Sequence, residues 1–505
     1  MSESAGIGLL DELKRELSEI VDINRAINVL DWDQNTYMPP GGSTGRADSL
    51  ATLQGILHAR YTSAKLGELL NRAQDAVAGL DPDSDDFNLV RVAKRDYDRR
   101  VRIPEDLVSE IACTGALAYA VWVAARRNND YASFAPWLQK NIDLARRLTD
   151  HIGYSEHRFD ALVEEAEPGM TTASVRAIFS ELRPQLVNLV QAIAPQVDTV
   201  DDSPLRRTFD EATQERLGRE VSAKFGYDYT RGRLDRTTHP FEITFGRDDV
   251  RITTRYDKNF LPMALMGTMH ESGHGLYEQG IAPAITHTPL GHGVSHGVHE
   301  SQSRLWENYV GRSLPFWQYF YPVVQDAFPG VLGDVDVRSF YRALNKVHPS
   351  LIRVEADEVT YGLHIMLRFE FEIGLLDGTI SVKDAPEAWN AAMGDYLGIT
   401  PSTDALGILQ DVHWSGGFGG FQGYALGNII AAQVWESVLK AHPDLPDQLR
   451  QGQFSTLLDW LHTNIYHHGR KFDPADLIQR ATGAPLSSEP YMRYLRNKFG
   501  GIYTL

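Results

Sequence analysis

Most of the chain places apolar residues at spacings of three and four, the pattern of amphipathic helices that bury one face. The pattern is clear in six stretches: 8–30, 104–128, 131–152, 172–197, 351–377 and 455–468. The turns between them are rich in proline, glycine and aspartate, and none is long enough for a flexible linker between domains. The pattern predicts a large, mainly α-helical body formed by one domain over residues 1–505, with no internal repeat.

One segment alternates apolar and polar residues at period two instead. Residues 241–245 and 250–256 follow this pattern, and the turn-forming residues 246–249 separate them. Two such runs joined by a short turn predict a β-hairpin. The free edge of this hairpin could pair with an extended peptide through backbone hydrogen bonds. The alternative is a hairpin that only covers the surface.

Composition narrows the class of protein. Of 505 residues, 43% are hydrophobic, which excludes a disordered or collagen-like chain. The net charge of −18 disfavours nucleic acid or an anionic membrane as a partner. The single cysteine, Cys113, excludes an internal disulfide and suits a reducing compartment. The N-terminus lacks a signal peptide, and the longest apolar run, 116–125, is half a membrane span. We therefore expect a cytoplasmic protein.

The sharpest chemical signal is His270-Glu271-Ser272-Gly273-His274. Histidines at i and i+4 share one helix face and can bind one metal ion, while the glutamate between them can act as general base towards water. The alternative is a coincidental pair on the surface. The predicted helix, 262–279, also contains Gly267 and Gly275 beside apolar neighbours, which favours a buried site.

Hydrolytic zinc takes three protein ligands and keeps one position open. Glu300 lies 26 residues after His274 and opens a predicted helix over 299–312, so it is the preferred third ligand. His299, its neighbour, is the competing candidate. A glycine-rich loop holds ligand geometry poorly, which disfavours the histidines of the preceding loop, His287, His292 and His296.

Polar residues also interrupt the predicted helix that starts near Ser350. Arg353, Asp357, Tyr361 and His364 recur at i, i+4, i+8 and i+11. They are either the hydrated side of that helix or one wall of a cleft. In the second interpretation Arg353 offers a planar fork to a carboxylate and Asp357 orients it. A peptidase that requires a free C-terminus needs such a cation.

A glycine-rich segment follows the motif 410–414, with five glycines in the nine residues 416–424. Such a segment is either an ordinary turn or a loop whose backbone approaches a ligand closely. In the second interpretation His413 or Tyr424 can donate a hydrogen bond to the oxyanion formed at an attacked carbonyl.

Together these motifs resemble the carboxypeptidase Taq family of zinc metallocarboxypeptidases. The similarity extends to the N-terminal segment 31–39 and includes six motifs in order: His239-Pro240-Phe241, Asp249–Thr253, His270–His274, His299–Gln302, Ile352–Asp357 and Gln410–Trp414.

The resemblance implies a helical fold with a deep central cleft, similar to neurolysin-like peptidases, with the motifs in a core over about 239–428. It implies a homodimer that removes single C-terminal residues from peptides with broad specificity. Zinc is the implied metal, with cobalt able to substitute. The matching positions give His270, His274 and Glu300 as ligands and Glu271 as base, with His239, Arg251 and Arg353 lining the substrate cleft.

The chain departs from the family pattern at Gly420, where a tyrosine is usual, which makes Tyr424 the better candidate for a phenol donor. Two rival functions stay open. An oligopeptidase of the same fold would cut internally, and a silent scaffold would bind metal or partners without turnover. The intact Glu271 disfavours the scaffold, because a structural zinc site needs no base.

Overall fold

The computed structural model describes residues 3–505, and helices account for most of them. The described chain forms 21 α-helices: α1 Glu3–Thr36, α2 Ser43–Tyr61, α3 Ala64–Val77, α4 Asp85–Arg100, α5 Glu105–Asn128, α6 Tyr131–Ile152, α7 Asp160–Ala166, α8 Thr172–Ile193, α9 Glu211–Phe225, α10 Leu261–Gly280, α11 His296–Arg304, α12 Leu314–Ala327, α13 Pro329–Leu332, α14 Val337–Leu344, α15 Tyr361–Asp377, α16 Ala385–Leu397, α17 Phe421–Ala441, α18 Leu445–Arg450, α19 Ser455–Asn464, α20 Pro474–Thr482 and α21 Glu489–Tyr503. The predicted mainly helical fold is confirmed.

A three-stranded sheet is the β-structure of the described residues. Its strands are β1 Gly232–Arg236, β2 Glu242–Thr244 and β3 Val250–Thr254, in the order β1-β3-β2. β2 and β3 are antiparallel, which confirms the predicted hairpin, and β1 pairs with β3 in parallel. Helix α1 covers part of the outer edge of β2, since Asn28 Nδ2 donates to the carbonyl of Thr244 (3.1 Å).

Buried apolar side chains form two separate clusters. The smaller one joins α1, α3 and α4 to Ile281, Ile285 and Leu290, which follow α10. The larger one extends from α5 to α21 and includes the sheet. Within it, α10 packs against α9, α11 and β3, and α11 packs against α17. The central helices α10, α11 and α17 therefore lie in the most buried part of the protein.

Several predicted helix bounds are wrong. The stretch 351–377 is not one helix: Arg353–Glu355 is a single 3-10 turn and α15 begins at Tyr361. The carboxylate of Asp357 accepts from the backbone N–H groups of Val359 and Thr360 and so turns the chain before α15. The predicted helix 299–312 begins earlier and changes to a π-helix over Leu305–Gly311. The stretches 172–197 and 455–468 both end in 3-10 turns.

One helix of the described chain, α5, is long and apolar enough to cross a membrane when judged by length and composition alone. It packs against α6, and the indole of Trp122 donates to the carbonyl of Leu409 (3.0 Å). Away from these contacts, α5 leaves Leu117, Tyr119 and Val123 exposed. Helix α5 therefore provides an apolar surface on the described part of the protein.

A buried ion pair fastens the last helix to the body and gives a prediction about stability. Lys498 of α21 lies 2.5 Å from the carboxylate of Glu358, which also accepts from the hydroxyl of Tyr494 (2.6 Å). Both charged side chains are under 10% exposed. Lys498→Met should lower the free energy of unfolding by about 3–5 kcal/mol, because it leaves the Glu358 carboxylate buried without its cation. Urea titration measures this, and the double variant Lys498→Met/Glu358→Gln should recover most of the loss. A loss below about 1 kcal/mol in the single variant would mean that water replaces the cation.

Candidate metal centre and substrate cleft

The histidine motif lies on α10, within the helix that the sequence predicts. His270 and His274 are one turn apart, and Glu271 between them is 6% exposed. A Cβ atom on Gly273 would lie 2.5 Å from the carbonyl oxygen of Gln302. Glycine at this position therefore allows the backbone of α11 to pack directly against the motif.

Glu300 of α11 completes a group of three possible metal ligands. Its Oε2 lies 3.5 Å from His270 Nε2 and 3.3 Å from His274 Nε2. The three ligand atoms lie within 4.8 Å of one another, and among the residues that the structure describes this is the one such group of three. On α17, Gly427 lets that helix press on Glu300, since a Cβ there would lie 2.6 Å from Glu300 Cγ. Two imidazoles and one carboxylate form a donor set that suits a divalent metal such as zinc.

Burial and nearby charges favour the protonation states that metal binding requires in Glu300 and His274. For His270, burial lowers the pKa, but the carboxylates of Glu300 and Glu307 outweigh burial and raise it. Burial opposes the charge of Glu300, yet Arg304 and the two histidines hold the pKa of its carboxyl well below the usual range. Burial lowers the pKa of His274 to about 3, which leaves a neutral imidazole. Burial raises the pKa of Glu271 to about 7, and a bound dication would lower it from there.

The outer nitrogen of His270 is held by a carboxylate that the sequence analysis missed. Glu307 Oε2 lies 3.0 Å from His270 Nδ1, and Arg304 and Arg312 contact the same carboxylate at 3.2 and 3.1 Å. Glu307 belongs to the π-helix, whose wider turn continues directly from α11. The spacing of Glu300, Arg304 and Glu307, at i, i+4 and i+7, is a signal that could have placed all three on one face.

His299, the competing ligand in the sequence analysis, lies outside this group. Its Nδ1 is 2.5 Å from His274 Nδ1, and its Nε2 is 3.0 Å from Glu278 Oε1. The three histidines before His299 also point elsewhere: His287 pairs with Asp22, His292 lies near Glu278 and His296 rests against the ring of Tyr424. His296 is the first residue of α11, not a loop residue as predicted.

Arg353 is buried, and its main partner differs from the predicted one. Its Nε donates to Asp411 Oδ1 (3.0 Å) and its Nη1 donates to the hydroxyl of Tyr361 (3.2 Å). Asp357 does not orient it, as the sequence analysis proposed, because that carboxylate is occupied by backbone N–H groups and by Thr360 Oγ1. The four polar residues predicted to line one helix face therefore do not act together, although Arg353 and Tyr361 are in contact.

Asp411 connects Arg353 to a second arginine that the sequence analysis did not identify. Arg368 of α15 is fully buried and donates through Nε to Asp411 Oδ2 (2.5 Å). Burial opposes the charge of Asp411, but Arg368 and Arg353 hold its pKa well below the usual range. One carboxylate between two guanidinium groups leaves a net positive charge on this group of three side chains. The sequence signal that could have identified Arg368 is its position as the one arginine in the mostly apolar stretch 361–377.

The two candidate oxyanion donors lie close to Arg353. His413 is in the 3-10 turn His413–Ser415, and Tyr424 is on the first turn of α17 rather than in a loop. Their ring centroids are 6.4 Å apart, and the Arg353 guanidinium lies 5.3 Å from the Tyr424 ring. Burial raises the pKa of Tyr424, so its hydroxyl keeps the proton, and burial lowers the pKa of His413 to about 4.

The other two predicted cleft residues lie at the sheet. His239 is exposed in the connection between β1 and β2. Arg251 on β3 makes a two-pronged ion pair with Asp249 (2.8 Å each) and lies 4.3 Å from the Trp32 ring and 4.7 Å from the Phe245 ring. These contacts already occupy much of the Arg251 guanidinium. Substrate contacts of both residues stay a prediction.

A family model described as carboxypeptidase Taq (M32) metallopeptidase matches residues 12–499, nearly the whole chain. The chain belongs to this M32 family. M32 members are metallopeptidases that act as carboxypeptidases, so the protein is a metallocarboxypeptidase, a hydrolase of peptides that depends on a divalent metal.

Relatives of this M32 peptidase cover its full length. It is 39% identical to carboxypeptidase 1 of Bacillus subtilis (strain 168), over 97% of each chain. It is 40% identical to thermostable carboxypeptidase 1 of Thermus thermophilus, over 100% of each chain. The crystal structure of the M32 carboxypeptidase from Deinococcus radiodurans R1 is 41% identical, with a TM-score of 0.96 over 99% of this chain and 100% of that one. The recognised family and fold are thereby confirmed.

His364 of this M32 peptidase gives a prediction about pH. It is fully buried beside Arg368, and its Nε2 donates to the carbonyl of Ser350 (3.0 Å). Burial, aided by Arg368, lowers its pKa from 6.5 to about 3. Between these values the unfolded chain binds one more proton than the folded chain. The contribution of neutral His364 to the free energy of unfolding is therefore fully present above pH 6.5. It is lost on acidification towards pH 3, at about 1.4 kcal/mol per pH unit.

His364→Gln should make the acid side of the stability profile shallower by that amount. Urea titrations at several pH values below neutrality measure the slope, with His151→Gln on an exposed surface as the matched control. An unchanged slope in His364→Gln would show that His364 does not stay neutral in the folded protein.

Proposed function

We propose that the protein releases single C-terminal amino acids from peptides with broad specificity, using zinc held by His270, His274 and Glu300 and Glu271 as general base. One observation carries the proposal. Glu271 is buried in the same helix turn as His270 and His274, two members of the metal-ligand group. The third member, Glu300, is connected by side-chain contacts to Arg353, a cation suited to a terminal carboxylate. Those contacts run from Glu300 to Arg304 (2.7 Å), from Arg304 to the ring of Tyr361 (4.4 Å), and from Tyr361 to Arg353 (3.2 Å).

The donor set supports zinc, and cobalt as a substitute, since both accept two imidazoles and one carboxylate with an open position. When bound there, such a metal supplies Lewis acidity, which activates water and polarises the carbonyl. Glu271 takes the proton of the attacking water on its carboxylate and then passes it to the nitrogen of the leaving amine. Its burial suits this role, because burial raises the pKa of the carboxyl and so opposes the lowering by a bound dication, which helps the group both accept and return a proton.

Arg353 captures the terminal carboxylate and so restricts cleavage to the last peptide bond. No described residue forms a hydrogen bond with its Nη2, whereas Nε and Nη1 are fixed by Asp411 and Tyr361. The guanidinium is therefore oriented with donors still available for a second carboxylate. Every peptide with a free C-terminus carries this group, which supports broad specificity for the side chain.

Tyr424 and His413 are placed to donate hydrogen bonds to the oxyanion. Tyr424 keeps its proton and lies between Arg353 and His296. His413 Nδ1 is buried and lies 3.8 Å from Asp411 Oδ1, so we assign donation to the oxyanion to the other ring nitrogen, Nε2, of a neutral His413. Preorganised donors at this position stabilise the charge that develops on the attacked carbonyl.

The test is mass spectrometry of a mixed-sequence peptide incubated with the purified full chain, before chelation, after chelation, and after zinc or cobalt is restored. We expect a ladder shortened from the C-terminus, lost with the chelator and recovered with either metal. Internal fragments would overturn the exopeptidase proposal in favour of the oligopeptidase. Bound metal without cleavage of any peptide would support the scaffold.

The assembly and location of the protein are also proposals. We propose a homodimer, supported by the family resemblance and by three exposed apolar residues of α5, Leu117, Tyr119 and Val123. Sedimentation equilibrium should give about twice the chain mass of 56.6 kDa, and a monomer at micromolar concentration would contradict it.

We propose the cytoplasm because the lone Cys113 is an exposed free thiol, and fractionation of cells tests this.

A further inference from the structure

We propose that His299 and Glu278 form a hydrogen-bonded relay that orients the ligand His274 and thereby sets the affinity of the centre for its metal. This inference rests on the proposed metal site. Neither residue is a ligand in that site, so both are positioning residues. The relay consists of three side chains in contact, Glu278, His299 and His274, which come from two helices, α10 and α11.

The geometry allows one consistent arrangement of protons. His274 Nε2 faces Glu300, so a neutral His274 that binds metal through Nε2 carries its proton on Nδ1. That proton points at His299 Nδ1, 2.5 Å away, which must then accept. The proton of His299 therefore lies on Nε2, where Glu278 Oε1 accepts it at 3.0 Å. The ring centroids are 4.7 Å apart although the two nitrogens are only 2.5 Å apart, so the rings meet through their edges and not face to face, as a hydrogen bond between rings requires.

The contacts of Glu278 support its role as the fixed end of the relay. Its carboxylate is 3% exposed, and Oε1 also accepts from the backbone N–H of Gly293 (2.8 Å). His292 Nδ1 lies 3.9 Å from Oε2, beyond hydrogen-bond distance, so His292 does not hold the carboxylate in place. The ring of Tyr277 packs 5.2 Å from that of His299 and limits its rotation.

The two histidine ligands consequently have different outer partners. His270 has a carboxylate, Glu307, directly on Nδ1, whereas His274 has an imidazole that relays a carboxylate. Outer partners of metal-bound histidines fix the tautomer and the ring orientation, and their loss typically weakens metal binding by about 10–100-fold. The relay explains why a histidine precedes the ligand Glu300 in the sequence without joining the ligand group.

The test measures the dissociation constant of zinc for the full-length protein, by competition with a chromophoric chelator at neutral pH. His299→Phe keeps a ring of similar size but removes the acceptor, and it should weaken zinc binding about 10–100-fold. His299→Asn should lose clearly less affinity than His299→Phe, because its Oδ1 takes the position of Nδ1 and accepts from His274, although the contact with Glu278 is lost. His299→Gln should resemble His299→Phe, because the glutamine amide lies at the position of Nε2 and leaves no acceptor at the position of Nδ1. The absorption bands of bound cobalt should shift most in the Phe and Gln variants and least in the Asn variant.

His292→Phe is the matched control, because it changes another histidine beside Glu278 that does not touch a ligand. Its zinc affinity should equal that of wild type. Equal affinities in wild type and His299→Phe would overturn the relay while leaving the proposed metal site intact. Equal losses in the Phe, Asn and His292 variants would show a packing effect and also overturn it. A wild-type protein that binds no zinc would overturn the metal site itself and the relay with it.

Discussion

Glu271→Gln should lower kcat by about 10²–10⁴-fold while zinc stays bound. Glutamine fills the same volume within the buried helix turn but cannot accept a proton from water. The three proposed ligands are untouched, so metal content, measured by mass spectrometry of the purified protein, should equal that of wild type. Turnover is measured with one short peptide whose C-terminus is free.

The matched control for this variant is Glu387→Gln, which makes the same chemical change on the exposed surface of α16. Its turnover should equal that of wild type. Near-normal activity in Glu271→Gln would exclude a general base at this position. Loss of zinc from that variant would mean that Glu271 contributes to metal binding, which the geometry of His270, His274 and Glu300 does not require.

Arg353→Ala should reduce kcat/KM for peptides with a free C-terminus by the equivalent of about 2–5 kcal/mol, roughly 30-fold to several thousand-fold. The lost contact is between a buried guanidinium and the terminal carboxylate. The same peptide amidated at its C-terminus should be a poor substrate for wild type and should lose little further in the variant. The ratio of the two substrates is the measurement, and metal and base affect both equally.

Arg353→Lys separates charge from shape. A lysine retains the positive charge but not the planar fork that Asp411 and Tyr361 orient, so most of the preference for a free carboxylate should stay lost. An equal loss on free and amidated peptides in Arg353→Ala would contradict carboxylate capture. That result would indicate that Arg353 has only a structural role, in the ion pairs with Asp411 and Arg368.

The helical fold was predictable because periodicity is a local property of the sequence. The prediction was wrong where a side chain overrode the pattern: apolar spacing continues through 351–377, yet Asp357 binds the backbone ahead of it and delays α15 to Tyr361. The hairpin was predictable from its alternation. Strand β1, Gly-Arg-Leu-Asp-Arg, was not, because it has one apolar residue and forms through its parallel pairing with β3.

The same division applies to the candidate site. His270, His274 and Glu271 share one helix turn, so spacing alone predicts that they meet. Contacts between distant residues carry no such signal. Asp411 holds Arg353 across 58 positions, and the sequence analysis assigned that role to the nearer Asp357. Spacing could place Glu307 on the same face as Glu300, but it does not show that this face meets His270 of α10. Glu278 was missed for a similar reason, because its partner His299 lies on a different helix, α11.

The most direct measurement is a crystal structure of the Glu271→Gln variant loaded with zinc and soaked with a peptide that has a free C-terminus. We predict zinc bound by His270 Nε2, His274 Nε2 and Glu300, with the terminal carboxylate against the Arg353 guanidinium and the last peptide carbonyl beside the metal. Zinc bound by His299 in place of Glu300, or a peptide that runs through the cleft with its carboxylate away from Arg353, would contradict the account.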